Sequence, residues 1–312
     1  MGAVTMKVIL TGGAGQLGQA VRRSVPNAIG GRAVELITTT RSGGEGTIVL
    51  DLADAAACRA LVEQHQPDWV INAGAYTAVD KAETEPNLAH AVNATAPGAL
   101  AEALACTGGQ LLQLSTDFVF SGAQGLPYRP DQPVDPLGVY GASKAAGEAA
   151  AASALTADCL CILRASWVYG PVGRNFLLTI LRLMAEQEQL GVVADQVGCP
   201  TCTAGLARAC WAVLERGVCG IHHWSDAGAA SWYDFAIAIS ELALAQGLLQ
   251  RAAAVRPLTT ADYPTPARRP SYSLLDCSAS RTQLDLEPRH WREALADVLR
   301  DLPSSLTRKS SP

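Results

Sequence analysis

Positive charge is in short supply in this chain. Its 24 lysines and arginines against 29 aspartates and glutamates leave a formal net charge of -5, without the basic excess that marks a nucleic-acid-binding surface, and no nucleic-acid partner is expected. No apolar run approaches the roughly 18 residues that cross a bilayer. The N-terminus carries Lys7 before a short Val8-Ile9-Leu10 run that leads straight into glycines, so it lacks the apolar core of a signal peptide. A cytoplasmic protein with no membrane partner is expected. Charged residues are 17% and aromatics 5%, against 49% apolar residues, a balance that excludes disorder and fits a well-packed globule. Metal-ligand spacing is missing as well. Cys199 and Cys202 form a two-cysteine pair, but no second pair and no histidines at i, i+4 accompany it, and the adjacent His222 and His223 would point apart on a strand. The nine cysteines are odd in number, and Cys159, Cys161 and Cys210 sit in apolar runs, so reduced, buried thiols and no bound metal are expected.

What is present is rhythm. Short apolar or β-branched runs at Lys7 to Thr11, Val34 to Thr38, Thr47 to Leu50, Trp69 to Asn72, Gln110 to Ser115 and Cys159 to Leu163 alternate with helical patterns at Gln16 to Ser24, Ala55 to Gln64, Asn87 to Thr107 and Val139 to Leu155. That alternation predicts α/β architecture with a doubly wound, Rossmann-like parallel sheet. Asp54 suits an N-cap and Pro86 a first helical turn. After Ser166 the rhythm loosens, with helices predicted at Phe176 to Gln187, Ala204 to Arg216 and Trp232 to Gln246. Residues 1–165 are expected to form a dinucleotide-binding domain, completed by part of 200–245, and residues 166–312 a smaller mixed α/β substrate-binding lobe. The three prolines between Tyr263 and Pro270 predict an ordered loop, with a strand-like Ser273-Leu274-Leu275 after it and a frayed tail from Pro303 to Pro312.

Gly12, Gly15 and Gly18 follow the first strand and open the first helix, the context in which a glycine-rich turn lets the backbone approach a pyrophosphate at a helix N-terminus. At the end of the second strand, where a carboxylate would bind the ribose 2′-hydroxyl of NAD, Thr38-Thr39-Thr40-Arg41-Ser42 has none. Arg41 would instead fork a 2′-phosphate, so NADP(H) is favoured, with NAD(H) as the alternative. Asp51 and Leu52 are placed to hold an adenine, and the small residues around Ala73 and Ala75 leave room for a cofactor against the backbone.

Tyr140 and Lys144 stand four apart, on one face of a helix. A phenol ionises near pH 10, and an adjacent ammonium can bring it toward working range; a shift of about three units needs about 4 kcal/mol. Ser115 and Thr116 end the fifth strand, at the edge where open α/β sheets bind ligands, and a hydroxyl there can hydrogen-bond an oxygen on which charge changes.

The glycine loop, the Ser/Thr and the Tyr-xxx-Lys, in this order, resemble the extended short-chain dehydrogenase/reductase superfamily. Within it, Asn72 to Glu83, Leu114 to Phe120, Val139 to Glu148, Arg164 to Tyr169, Asp195 to Thr201 and Tyr263 to Pro270 resemble the dTDP-4-dehydrorhamnose reductase family, and the resemblance spans about Met6 to about Leu302. It implies an NAD(P)H-dependent reduction of the C4 keto group of dTDP-4-dehydro-L-rhamnose in dTDP-rhamnose biosynthesis. Carried over by position, Thr116 and Tyr140 bracket the keto oxygen with Tyr140 as the acid, and Lys144 holds the nicotinamide ribose and lowers the tyrosine pKa. Asp117 and Trp167 contact the sugar nucleotide, Gly15, Gln16 and Leu17 touch the pyrophosphate, and Ala75, Tyr76 and Thr77 line the nicotinamide end. The chain departs from the pattern at Tyr76, where histidine can occur, and at Phe118, where tyrosine is frequent. Charge alone suggests Arg268 and Arg269 for the diphosphate. Some relatives bind magnesium between subunits through acidic residues; that ligand set is not carried over, Asp195 being read as serving the fold, and a homodimer is the assembly such a resemblance allows. Alternatives are a reductase or epimerase of another nucleotide-linked deoxysugar, or a non-catalytic NADP-binding regulatory subunit such as that of methionine adenosyltransferase.

Overall fold

Strands buried on both faces read as near-continuous apolar runs, and the first half of the chain builds its sheet from them. The computed structural model describes residues 5–303, so the last nine residues of the tail lie outside the described residues. The strands are β1 (Met6–Thr11), β2 (Ala28–Ile29), β3 (Arg32–Thr40), β4 (Thr47–Val49), β5 (Trp69–Asn72), β6 (Gln110–Thr116) and β7 (Leu160–Ala165). With Gly220–Trp224 they form an eight-stranded sheet in the order Gly220–Trp224, β7, β6, β5, β1, β3, with β2 and β4 both pairing β3. All pairings are parallel except the β2–β3 hairpin, which turns on Gly30 and Gly31 at φ 55° and 78°. The strand order reverses between β1 and β5, which opens a crevice at their carboxyl ends.

Helices α1 (Gln16–Arg23), α2 (Ala55–His65), α3 (Val79–Ala82), α4 (Pro86–His90), α5 (Ala96–Thr107) and α6 (Val139–Ala154) connect these strands. α2, α5 and α6 cover one face, where Val62, Leu100, Leu104 and Ala151 pack on Ile9, Val70 and Ile162; α1 and Thr203–Arg216 cover the other, over Leu10, Ile71 and Leu163. The sheet is therefore doubly wound. Asp54 caps α2 by accepting from the Ala57 amide, and Pro86 occupies the first turn of α4, both as expected.

The helix expected from Asn87 to Thr107 is instead three pieces: α4, a π-helical turn at Ala91–Thr95, and α5. Pro97 has no amide hydrogen to give the Asn93 carbonyl, and the ladder widens just before it. The bulge brings α6 close, since a Cβ at Gly147 would lie 2.0 Å from the Asn93 carbonyl oxygen.

Beyond β7 a second packing unit forms around Phe235, Ile239, Leu181 and Leu295, from helices Phe176–Glu186, Trp232–Ala245 and Trp291–Arg300 and the parallel strands Gln189–Val193 and Ala254–Leu258. Pro257 is tolerated in that pair because Ala254–Leu258 has a neighbour on one side only. The expected strand at Ser273 to Leu275 reduces to an isolated bridge between Tyr128 and Leu275. No described helix is long and apolar enough to cross a membrane.

Gly147→Ala should cost about 1–3 kcal/mol in urea unfolding, as overpacking at a backbone contact does; an unchanged midpoint would show that α6 stands further from the π turn than described.

Candidate active site

The crevice begins where β1 and β5 end. Gly12 turns at φ 67°, and a Cβ on it would fall 2.6 Å from the Gly74 Cα; one on Gly18 would fall 2.2 Å from the Gly12 carbonyl oxygen. Both positions need glycine for contact, and Gly12 for its backbone angle as well. Gly15 caps α1 without a side-chain hydrogen bond, and no acid occupies the first turn. The amides of Gln16 and Leu17 and the positive end of the helix are thus left for an anion, so the loop fits a dinucleotide's pyrophosphate. Leu52 packs where a Gly74 side chain would go, Asp51 accepts from the Ala53 amide, and Arg41 is exposed just past β3.

Side chains lock the strand ends. Thr11 Oγ1 donates to Asn72 Oδ1 at 2.5 Å, the Gly74 amide donates to Thr11 Oγ1, and Asn72 Nδ2 donates to Gln113 Oε1 at 2.7 Å. The following segment, Ala73 to Thr77, is held by Asn93, which accepts from the Tyr76 amide at 2.8 Å and donates to its carbonyl at 3.0 Å and to Ser143 Oγ of α6 at 3.0 Å. Tyr76 itself donates to Glu85 at 2.8 Å. Sequence reasoning missed Asn93, whose one signal was its place four residues before a helical proline.

Thr116 ends β6, and its hydroxyl accepts from the Phe118 amide and donates to Asp117 Oδ1 at 3.1 Å. Tyr140 and Lys144 lie on the first turns of α6, as the four-residue spacing predicts. The Lys144 ammonium is buried and donates to the Leu114 carbonyl at 2.6 Å. Burial pulls its pKa down to about 8, with Glu148 pulling the other way. Tyr140 is pushed up to about 12 by burial, opposed by a hydrogen bond from Thr116 and reinforced by the Asp117 charge. The net shift is thus upward, opposite to the lowering expected from the adjacent ammonium, which is turned onto the Leu114 carbonyl. Asp117 is 2% exposed, one of its oxygens has no hydrogen-bond partner, and burial raises its pKa to about 6 against hydrogen bonds from Ser273 and Thr116.

Trp167 lies just beyond β7 with a left-handed backbone at φ 45°, stacked on Trp232 at 3.5 Å between ring centroids. Gly198 has no Cβ because the indole of Trp167 fills that space, 2.6 Å from where a Cβ would stand. Gln16 bridges the two sides of the crevice, donating to the Val168 carbonyl at 3.1 Å and accepting from Asn175 Nδ2 at 3.3 Å. The Arg269 guanidinium bonds both oxygens of Asp80, at 3.1 and 2.8 Å, and pins the proline-bearing loop to α3. Asp195 accepts from the amide and hydroxyl of Thr260 and shapes a turn. Among the described residues, no group of three or more His, Cys, Asp or Glu side chains is arranged to hold a metal ion, and all nine cysteines are free thiols.

The sequence matches the family described as the RmlD substrate binding domain over residues 6–304. It is 39% identical over 301 residues to the spore coat polysaccharide biosynthesis protein SpsK of Bacillus subtilis, covering 96% of this chain and 99% of the relative. To the dTDP-4-dehydrorhamnose reductase of Aggregatibacter actinomycetemcomitans it is 37% identical over 298 residues, covering 94% and 98%. Among solved structures, the dTDP-4-dehydrorhamnose reductase of Bacillus anthracis in complex with NADP aligns with a TM-score of 0.84 at 31% identity, covering 95% of this chain and 99% of that one.

A carboxyl whose folded pKa is raised contributes its full stability below the unfolded value and loses it as pH rises through the folded one. For Asp117 that window runs from 3.8 to about 6. Across it, wild type should lose about 3 kcal/mol relative to Asp117→Asn, at about 1.36 kcal/mol per unit. Unfolding free energies measured from pH 4 to pH 7 check this, and a pH-independent difference between the two proteins contradicts it.

Proposed function

This chain belongs to the family of the RmlD substrate binding domain, and from that premise we propose that it is an NAD(P)H-dependent oxidoreductase that reduces the C4 keto group of dTDP-4-dehydro-L-rhamnose to give dTDP-L-rhamnose. The observation that carries the reading is the convergence of Thr116 and Tyr140, beside a buried Lys144, at the carboxyl end of β6, across from the glycine loop of β1. When bound, the dihydronicotinamide supplies the hydride. Gly12, Gly15, Gln16, Leu17 and Gly18 would hold its pyrophosphate, and Ala73, Ala75, Tyr76 and Thr77 would line its nicotinamide end.

The chain's own part is to bind, orient and donate a proton. The Thr116 hydroxyl is placed to turn from Asp117 to the keto oxygen and support the negative charge that grows there. Tyr140 gives its proton to that oxygen as C4 becomes a carbinol, and the resulting tyrosinate is stabilised by the Lys144 ammonium until solvent reprotonates it. A tyrosine pushed up to about 12 is fully protonated at neutral pH, which is the form a general acid requires. Asp117 and Trp167 would meet the sugar nucleotide. NADP(H) is favoured because the end of β3 carries Arg41 and no carboxylate.

Tyr140→Phe should lower the rate by about a hundredfold or more while leaving NADPH affinity within about twofold, measured by NADPH oxidation with the dTDP-ketosugar generated in place; near-normal turnover would remove Tyr140 from the acid role. Arg41→Ala should raise the KM for NADPH by about tenfold or more, the effect of losing a charge-assisted hydrogen bond, and leave that for NADH unchanged. Equal effects on both cofactors would remove Arg41 from the 2′-phosphate.

A further inference from the structure

We infer that Glu148 is a positioning residue of this active site, which holds the charge and the placement of Lys144 from one turn further along α6; the inference rests on the reductase reading above and deepens it. Tyr140, Lys144 and Glu148 are spaced by four residues and share one face of the helix. Glu148 is 6% exposed, and its carboxylate is fully engaged. Oε1 accepts from Ser115 Oγ at 2.5 Å and from Arg164 Nε at 2.9 Å, and Oε2 accepts from Arg164 Nη2 at 2.7 Å. Ser115 lies between Leu114, whose carbonyl receives the Lys144 ammonium, and Thr116. One carboxylate thus clamps the stretch of β6 that carries both the acceptor of the lysine and the hydroxyl of the site.

A buried ion pair is weak ground for stability alone, since well-packed apolar residues often do as well. This pair lies beside a buried ammonium, and there its charge has a task. Burial works against the charged form of Lys144, and the Glu148 carboxylate supports it. The other titratable and charged groups on α6 and the segments packed against it are Tyr140 on α6, Glu83, which accepts from the Val139 amide at the start of that helix, Asp117 beyond β6, Arg164 on β7, and His223 on the strand beyond it with Asp276 nearby. His223 is held neutral by burial and by Arg164. Arg164 is fixed in turn by the Pro130 carbonyl at 3.2 Å, His223 Nε2 at 3.3 Å and the ring of Phe120. With the carboxylate neutralised, Arg164 remains as an uncompensated positive charge, and Lys144 loses its proton at lower pH.

The test uses the full-length protein and two readouts. In Glu148→Gln, the basic limb of the kcat profile with NADPH should move to lower pH by about one unit, so that the loss of kcat at pH 8.5 exceeds the loss at pH 6.5 by about tenfold. The midpoint of the Lys144 side-chain signal in 15N-lysine NMR, assigned with Lys144→Arg, should fall by the same amount and does not depend on turnover. A profile and a midpoint parallel to wild type would overturn the inference while leaving the reductase reading intact. Conversely, a wild type that does not oxidise NADPH with the dTDP-ketosugar defeats that reading, and the NMR midpoint still decides the part played by Glu148. Should Glu148→Gln fail to fold, the double variant Glu148→Gln, Arg164→Met removes both charges and should still lower the midpoint, by less than one unit because the Arg164 charge goes as well; an unshifted or raised midpoint there overturns the inference.

Discussion

The contact between Gly12 and Gly74 is the constraint from which the rest of the site is measured. Two backbones at the carboxyl ends of neighbouring strands approach so closely that a single Cβ on Gly12 would overlap Gly74. The approach is enforced by the hydrogen bonds among Thr11, Asn72 and Gln113, which tie β1, β5 and β6 into one rigid edge. Everything functional hangs from that edge: the loop of free amides follows β1, the small-residue segment follows β5, and Ser115 and Thr116 end β6. A polar ladder buried at this depth is costly unless every member is satisfied, and satisfied it fixes one arrangement of the strand ends.

α6 is placed against the same edge by contacts that are not its own. Glu83 accepts from the Val139 amide at its first turn, Asn93 reaches Ser143, and Gly147 lets the π turn before α5 come within van der Waals distance. The run from Thr77 to Glu83 therefore acts as a brace. Asp80 holds the proline-bearing loop through Arg269, and Glu83 holds the start of the helix that carries Tyr140. Helix and strand edge are thus registered to each other by side chains from a third segment, and a shift in that segment would move Tyr140 relative to Thr116.

How far this could be read from sequence depended on how local each cause is. β5 was legible from end to end because Trp69 to Ile71 is an uninterrupted apolar run, buried on both faces and closed by Asn72. Asp54 was legible because a cap acts three residues away. Tyr140 and Lys144 were placed on one helical face by spacing alone, and Thr116 was placed opposite them by strand order. The break in the 87–107 helix was missed, although Pro97 announced it, because a proline in a helix's first turn and one that widens a continuing helix look alike without the neighbouring α6. Gln189–Val193 and Ala254–Leu258 were missed because each is stabilised by the other across more than sixty residues. The Asp80 partner of Arg269, nearly two hundred residues earlier, was invisible because only packing brings the two together. The partners of Glu148 were invisible for the same reason: Ser115 and Arg164 meet it only through packing.

The directions of the pKa shifts bear on the chemistry as a set. Burial raises Tyr140 to about 12 and Asp117 to about 6, so desolvation favours the protonated form of both groups beside Thr116. It lowers Lys144 to about 8 by the same physics acting on a cation. A site meant to abstract a proton from an alcohol would gain from a depressed tyrosine pKa in its resting state. A site meant to deliver one to a developing alkoxide gains nothing from early ionisation, because its acid must keep the proton until the charge to receive it appears. In the proposed reaction, that charge develops in a poorly solvated crevice where an ammonium is worth more than it would be in water. Lys144 is then useful chiefly after transfer, when Tyr140 has become an anion, and its value rests on remaining charged until that moment. The depression of its pKa by burial makes this the least secure element of the site, and the carboxylate one turn away is placed to offset it.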